Sequence, residues 1–177
     1  MMNGRGVVVG LGNPGPRYEK TRHNAGFFAA DFWVEKLGGE FRFEKKFQAE
    51  VAEAGNFWFV KPQTFMNLSG GAVERFLKFH KIPLENVLVL HDEIDLKFGE
   101  VKLKMGGGHA GHNGLRDLIA RCGAEFGRVR IGVGRPENPA FSVSDFVLGN
   151  FAAEDFQRFG EEILPVVVAR GEEFFGK

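Results

Sequence analysis

Two short runs of this chain are apolar on every residue rather than on alternate ones: Val7-Val8-Val9, closed by Gly10, and Val87-Leu88-Val89-Leu90. A strand that is apolar on both faces has to be covered on both faces, and the usual cover is a layer of helices on each side of a largely parallel sheet. The remaining periodicity fits that demand. Strands are expected over 5–11, 47–54, 57–60, 87–90, 101–105 and 128–133, with Gly55-Asn56 as the turn of a hairpin. Helices are expected over 24–37, 70–80, 115–121 and 152–174, the last broken near Pro165. The predicted fold is therefore α/β: a single domain over 1–177, with a twisted mixed β-sheet sandwiched between helices as three layers, α/β/α.

Composition narrows the chemistry. The 177 residues suffice for one buried core without disulfides, and the lone Cys122 excludes a disulfide framework or a zinc ribbon. No apolar stretch reaches the roughly 18 residues of a membrane span, and the start Met1-Met2-Asn3-Gly4-Arg5-Gly6 lacks a signal-peptide pattern, so a cytoplasmic protein is expected. The serines and threonines are Thr21, Thr64, Ser69, Ser142 and Ser144, and none lies in Gly-x-Ser-x-Gly, which leaves a nucleophile-elbow hydrolase without its serine. Net charge is zero, yet the stretch from Lys97 to Arg135 holds eight basic residues against Glu100, Asp117 and Glu125. A local basic patch is thus possible on a protein that is not basic overall.

Four segments hold candidate functional residues. Gly10-Leu11-Gly12-Asn13-Pro14-Gly15 matches a dinucleotide fingerprint in letters, but Pro14 and Pro16 separate it from the helix that such a loop must open into. His23 lies where a polar loop meets a helix start, and the helix dipole there favours a neutral, base-competent imidazole. His91-Asp92-Glu93 ends a strand, where an aspartate can orient a histidine; alone, Asp92 reads equally well as a turn residue. In residues 106–114, glycines bracket His109, His112 and Asn113; the histidines with Asp92 or Glu93 admit a metal reading, although the spacing is not that of a helical zinc motif. Asn113 is the expected cap of the following helix.

Together, Val9-Gly10-Leu11-Gly12-Asn13-Pro14-Gly15, Thr21-Arg22-His23-Asn24-Ala25-Gly26, Lys61-Pro62-Gln63-Thr64-Phe65-Met66-Asn67-Leu68-Ser69-Gly70, His91-Asp92-Glu93, residues 106–115, Arg130-Ile131-Gly132-Val133-Gly134 and Phe146-Val147-Leu148 closely resemble the bacterial-type peptidyl-tRNA hydrolases. The resemblance runs from about Val7 to Phe151. It implies hydrolysis of the ester between a peptide and the 3′ ribose of tRNA, with peptidyl-tRNA as partner, a monomeric enzyme, no obligate protein partner, and neither cofactor nor metal. It also implies His23 as general base, Asp92 as its stabiliser, and Asn13 as the residue that helps tell blocked from free aminoacyl-tRNA. Tyr18, Phe65, Asn67 and Asn113 resemble substrate contacts, with Met66 beside them, and Lys104 and Arg130 are similar to a pair that grips the terminal phosphate of the tRNA. Two rival functions are an RNA-binding module on the same fold and a metal-dependent hydrolase using His109, His112 and Glu93.

Overall fold

In a computed structural model, residues 4–176 are described; residues 1–3, the start of the segment read above for a signal peptide, and residue 177 lie outside them. The described strands are β1 (Gly6–Gly10), β2 (Arg42–Glu44), β3 (Ala49–Ala54), β4 (Phe57–Pro62), β5 (Val87–Glu93), β6 (Val101–Met105) and β7 (Gly127–Gly132). They form one sheet in the order β2-β3-β4-β1-β5-β7-β6. The four central strands β4, β1, β5 and β7 run parallel, while β2-β3-β4 and β6-β7 pair antiparallel.

The two all-apolar runs are the adjacent central strands. Val7, Val8 and Val9 are fully buried, as are Val87 through Leu90. Side chains on one face (Val8, Leu88, Leu90) pack with Ala29, Trp33 and Val34 of α1 (Ala25–Lys36) and with Val167 and Val168 of the last helix. Those on the other face (Val7, Val9, Val87, Val89) pack with Val73 and Phe76 of α2 (Ser69–His80) and with Leu115 and Leu118 of α3 (Asn113–Cys122). The three layers are those the sequence predicts.

Some elements differ from expectation. β2 is a three-residue edge strand whose Arg42 and Phe43 are exposed, so it offers no apolar pattern to read. A short helix α4 (Val143–Val147) was not expected; Ser142 caps it by accepting from Asp145 N at 3.0 Å. Past α5 (Ala153–Arg158) the backbone widens into a π-helical turn at Phe159–Ile163 before α6 (Leu164–Phe175). The irregularity lies in the turn just before Pro165, which has no N–H to bond back into that turn and whose ring crowds the carbonyl four residues earlier. The cap of α3 is His112, not Asn113: His112 Nδ1 accepts from Gly114 N at 3.2 Å and Leu115 N at 3.3 Å.

Candidate active site

The chain leaves β1 for one side of the sheet and returns through α2 to β5 on the other. Carboxyl ends of parallel strands at such a switch point form a crevice. Here a cleft of about 600 Å³ opens at that edge, lined by Asn13 after β1, Met66 and Asn67 after β4, His91, Asp92 and Glu93 of β5, and His23. Residues 109–113 and α4 supply the remaining walls.

His23 reaches the cleft because the start of α1 is pressed onto the strand ends. A Cβ on Gly26 would lie 2.2 Å from the Leu90 carbonyl oxygen and 2.7 Å from Leu11 N, and one on Gly10 would lie 2.5 Å from Gly26 O. Gly10 and Gly12 of the fingerprint-like loop therefore serve helix packing; Gly12 lies against the Phe27 ring. His23 itself occupies a 3₁₀ turn, Arg22–Asn24, just ahead of α1. Arg22 fastens that turn to α4 by donating to Phe146 O at 3.0 Å, with its guanidinium 4.1 Å over the Phe146 ring.

Asp92 is buried and its carboxylate is shared. Oδ2 lies 2.8 Å from His23 Nδ1 and Oδ1 lies 2.8 Å from His112 Nε2. His112 Nδ1 already accepts two backbone N–H groups, so its proton is on Nε2, which donates to Asp92. His23 donates through Nδ1, which leaves Nε2 with the lone pair. Burial alone would depress the His23 pKa, but the Asp92 charge and hydrogen bond outweigh it and leave the pKa above the ordinary 6.5. The dipole expectation of a neutral-favouring site is overridden by this carboxylate. Burial pushes the Asp92 carboxyl up, but the two histidines outweigh this and hold it well below the usual carboxylate range.

His91 completes the cluster from beneath, its ring 5.2 Å from that of His112. It is fully enclosed and its pKa is pushed down to about 3, first by burial and then by the neighbouring His112. Its Nδ1 donates to the Asp92 carbonyl at 2.8 Å, and its Nε2 has no partner among the described residues. A neutral imidazole is therefore built into the floor.

Asn13 is held on three sides. Its backbone N–H donates to Asn24 Oδ1 at 2.8 Å, its carbonyl accepts from Asn24 Nδ2 at 2.9 Å, and its side-chain oxygen accepts from Met66 N at 2.7 Å. With Oδ1 engaged by Met66 N, the Asn13 amide keeps its Nδ2 hydrogens to offer to a ligand. Asn24, buried and with its side-chain bonds going to this loop, is a positioning residue that sequence reading passed over as part of a helix start. His112 was considered only as a metal ligand. The missed signal was its place one residue before a helix, where an acceptor caps.

Asn67 and Asn113 are exposed residues that line the cleft. Phe65 is 54% exposed and meets the Tyr18 ring edge-on at 6.4 Å, forming an apolar shelf. Lys104 and Arg130 do not line the cleft and do not face each other: register sets Lys104 opposite Arg128 and Arg130 opposite Lys102. Among the described residues, the group able to ligate a metal is His23, Asp92 and His112, whose ligand atoms lie within 4.8 Å of one another. It is not the set of His109, His112 and Glu93; His109 Nδ1 is used by Gly111 N at 2.9 Å.

An open parallel-centred sheet with a polar cleft at its strand ends, backed by a shared carboxylate, defines an α/β protein whose candidate active site lies at those strand ends. The family model for peptidyl-tRNA hydrolase matches residues 7–175, beyond the Phe151 limit of the motifs. A peptidyl-tRNA hydrolase of Sulfurovum sp. is 53% identical over 149 residues, covering 84% of this chain and 78% of the relative. One from Dichelobacter nodosus is 43% identical, covering 94% of each. The crystal structure of peptidyl-tRNA hydrolase from Acinetobacter baumannii superposes with a TM-score of 0.85 at 37% identity, covering 96% of this chain and 89% of that one. The chain belongs to the peptidyl-tRNA hydrolase family.

Proposed function

We propose that this chain hydrolyses peptidyl-tRNA by using His23 as a general base. The observation that carries the reading is the bond from His23 Nδ1 to Asp92, which leaves Nε2 as the acceptor in the cleft. Nε2 takes a proton from water as the water oxygen bonds to the ester carbonyl carbon. The tetrahedral oxyanion receives hydrogen bonds from the amides of Asn67, Asn113 and Asn13. On collapse, the carbon–oxygen bond to the ribose breaks and the departing 3′ oxygen recovers the proton from His23. The imidazolium between these steps is stabilised by the Asp92 charge. Phe65 and Tyr18 offer a stacking surface for the end of the tRNA, and Lys104 with Arg130 the grip for its terminal phosphate. All of these groups come from one chain, which supports a monomer that needs no protein partner. Among the described residues no helix is long and apolar enough to cross a membrane, and the lone cysteine suits the cytoplasm, where the substrate arises.

The same hydrogen bonds favour a metal-independent reaction. A metal at His23, Asp92 and His112 would need the His112 Nε2 lone pair, whereas that nitrogen carries a proton because Nδ1 caps α3. Extensive dialysis against EDTA is expected to leave turnover unchanged; loss of activity restored by Zn²⁺ or Mn²⁺ would overturn this part of the reading.

The experiment for the whole reading compares N-blocked with free aminoacyl-tRNA as substrates for the wild type and for His23→Ala. The blocked ester should be cleaved and the free one spared, and the variant should lose ~10²-fold or more in kcat while binding tRNA as before. A variant that keeps a tenth of kcat excludes His23 as the base.

A further inference from the structure

One face of the β5-β7-β6 edge carries His91 and Glu93, Arg128 and Arg130, Lys102 and Lys104 at matched positions. Across β6 and β7, cation sits opposite cation twice: Lys104 faces Arg128, and Lys102 faces Arg130. Like charges directly opposite weaken a strand pair, so the fold gains nothing from this pattern, and an anionic ligand would. The four cations are not equally available. Arg128 is buried and spent on the glycine loop, donating to Gly107 O and Gly108 O at 2.5 Å each. Lys102 and Lys104 are exposed and make no ion pair among the described residues. Arg130 is held by Glu93, with Nε 3.0 Å from Oε1, and the two side chains are only 24% and 12% exposed.

Glu93 is the one acid in this cationic row, and its other oxygen accepts from Asp95 N at 3.2 Å. It therefore holds Nε and offsets the charge of the guanidinium whose Nη groups a phosphate oxygen would bond. Arg130 and Lys104 are diagonal neighbours, roughly 7–8 Å apart across the ladder, a span that one phosphate can bridge, and it would do so beside the Glu93 carboxylate.

We propose that Glu93 is a built-in competitor for Arg130 that lowers the affinity of this chain for the terminal phosphate of tRNA. The inference rests on the reading of Lys104 and Arg130 as a phosphate grip. Substrate and spent tRNA present the same phosphate, so tight binding there stabilises both alike and adds nothing to the chemical step. An internal carboxylate weakens that shared contact and speeds departure of the product.

The test measures Kd for deacylated tRNA, with its 5′ phosphate intact or removed, across a salt series. The proteins are wild type, Glu93→Gln, Glu93→Ala, Arg130→Ala and the Glu93→Gln/Arg130→Ala double variant, each checked for a wild-type melting profile. Either Glu93 variant is expected to bind phosphorylated tRNA about three- to tenfold more tightly, with a salt dependence steeper by about one ion. No gain is expected on dephosphorylated tRNA or in the Arg130→Ala background. Unchanged or weaker binding by both folded Glu93 variants overturns the proposal, as does an equal gain without the phosphate or without Arg130. If Arg130→Ala leaves the phosphate-dependent affinity untouched, the phosphate grip itself falls and takes this inference with it. If Arg130→Ala weakens binding while the Glu93 variants show no gain, only the competitor role is lost.

Discussion

Asp92 divides its carboxylate between two histidines, and the two bonds have different consequences. The bond to His23 fixes which nitrogen accepts a proton and raises its pKa above 6.5. Since the neutral imidazole is the active base, kcat/KM should rise with pH through that raised pKa. In Asp92→Asn the charge is gone, so the rising limb should move to lower pH while kcat falls, because the imidazolium loses its counter-charge. A profile on N-blocked aminoacyl-tRNA between about pH 5 and 8.5 measures both, and an unmoved limb would show that the Asp92 charge does not set it. His91 gives a second prediction, about stability. Its folded pKa of about 3 lies below the unfolded value near 6.5, so its contribution is complete above pH 6.5 and is lost as pH falls toward 3. Asn at this position keeps a donor for the Asp92 carbonyl but cannot titrate. Urea midpoints of His91→Asn should thus fall less steeply than wild type across that window, and parallel curves would argue against a buried neutral His91.

At the scale of elements, the contact of α1 with the ends of β1 and β5 has no slack. In Gly26→Ala the new methyl would meet the Leu90 carbonyl at 2.2 Å, and backbone cannot swing aside as a side chain can. A loss of about 1–3 kcal/mol is expected from overpacking, together with a fall in kcat because His23 stands just before the same helix. Gly160→Ala, whose methyl meets nothing within 4 Å, is the control; equal denaturation midpoints for the two would refute the close-packing argument. The sequence made these elements legible where burial wrote a period into them, as in the all-apolar β1 and β5 and the alternating β6. It did not reveal β2 or α4, which are short and largely exposed and so need no pattern. His23, Asp92 and Asn13 were legible as motif residues, but their hydrogen-bond partners were not. Asn24 and His112 act through contacts between segments far apart in the chain, and so does the register that sets Lys104 against Arg128. Local propensity carries no record of such pairings.

For the molecule as a whole, a net charge of zero coexists with a cationic row at one sheet edge, so positive potential is concentrated along that edge rather than spread over the surface. The family match through residue 175 makes α6 part of the same unit, and Val167 and Val168 of α6 share the core with Val8 and Leu88. The cleft rim has a comparable unity. Asn24 grips the Asn13 backbone from the start of α1, and the Asn13 side chain grips Met66 N beyond β4, so a few amide bonds lace three separate segments together. Neither the Asn13 nor the Met66 amide belongs to a helical or strand ladder, yet neither hydrogen is free to leave unless the lacing opens. In deuterated water, loops normally lose their hydrogens long before the sheet does. Here those two amides should persist as long as those of the central strands, and should be released together in Asn24→Ala. Rapid exchange at both sites in the wild type would mean that the rim breathes strand by strand.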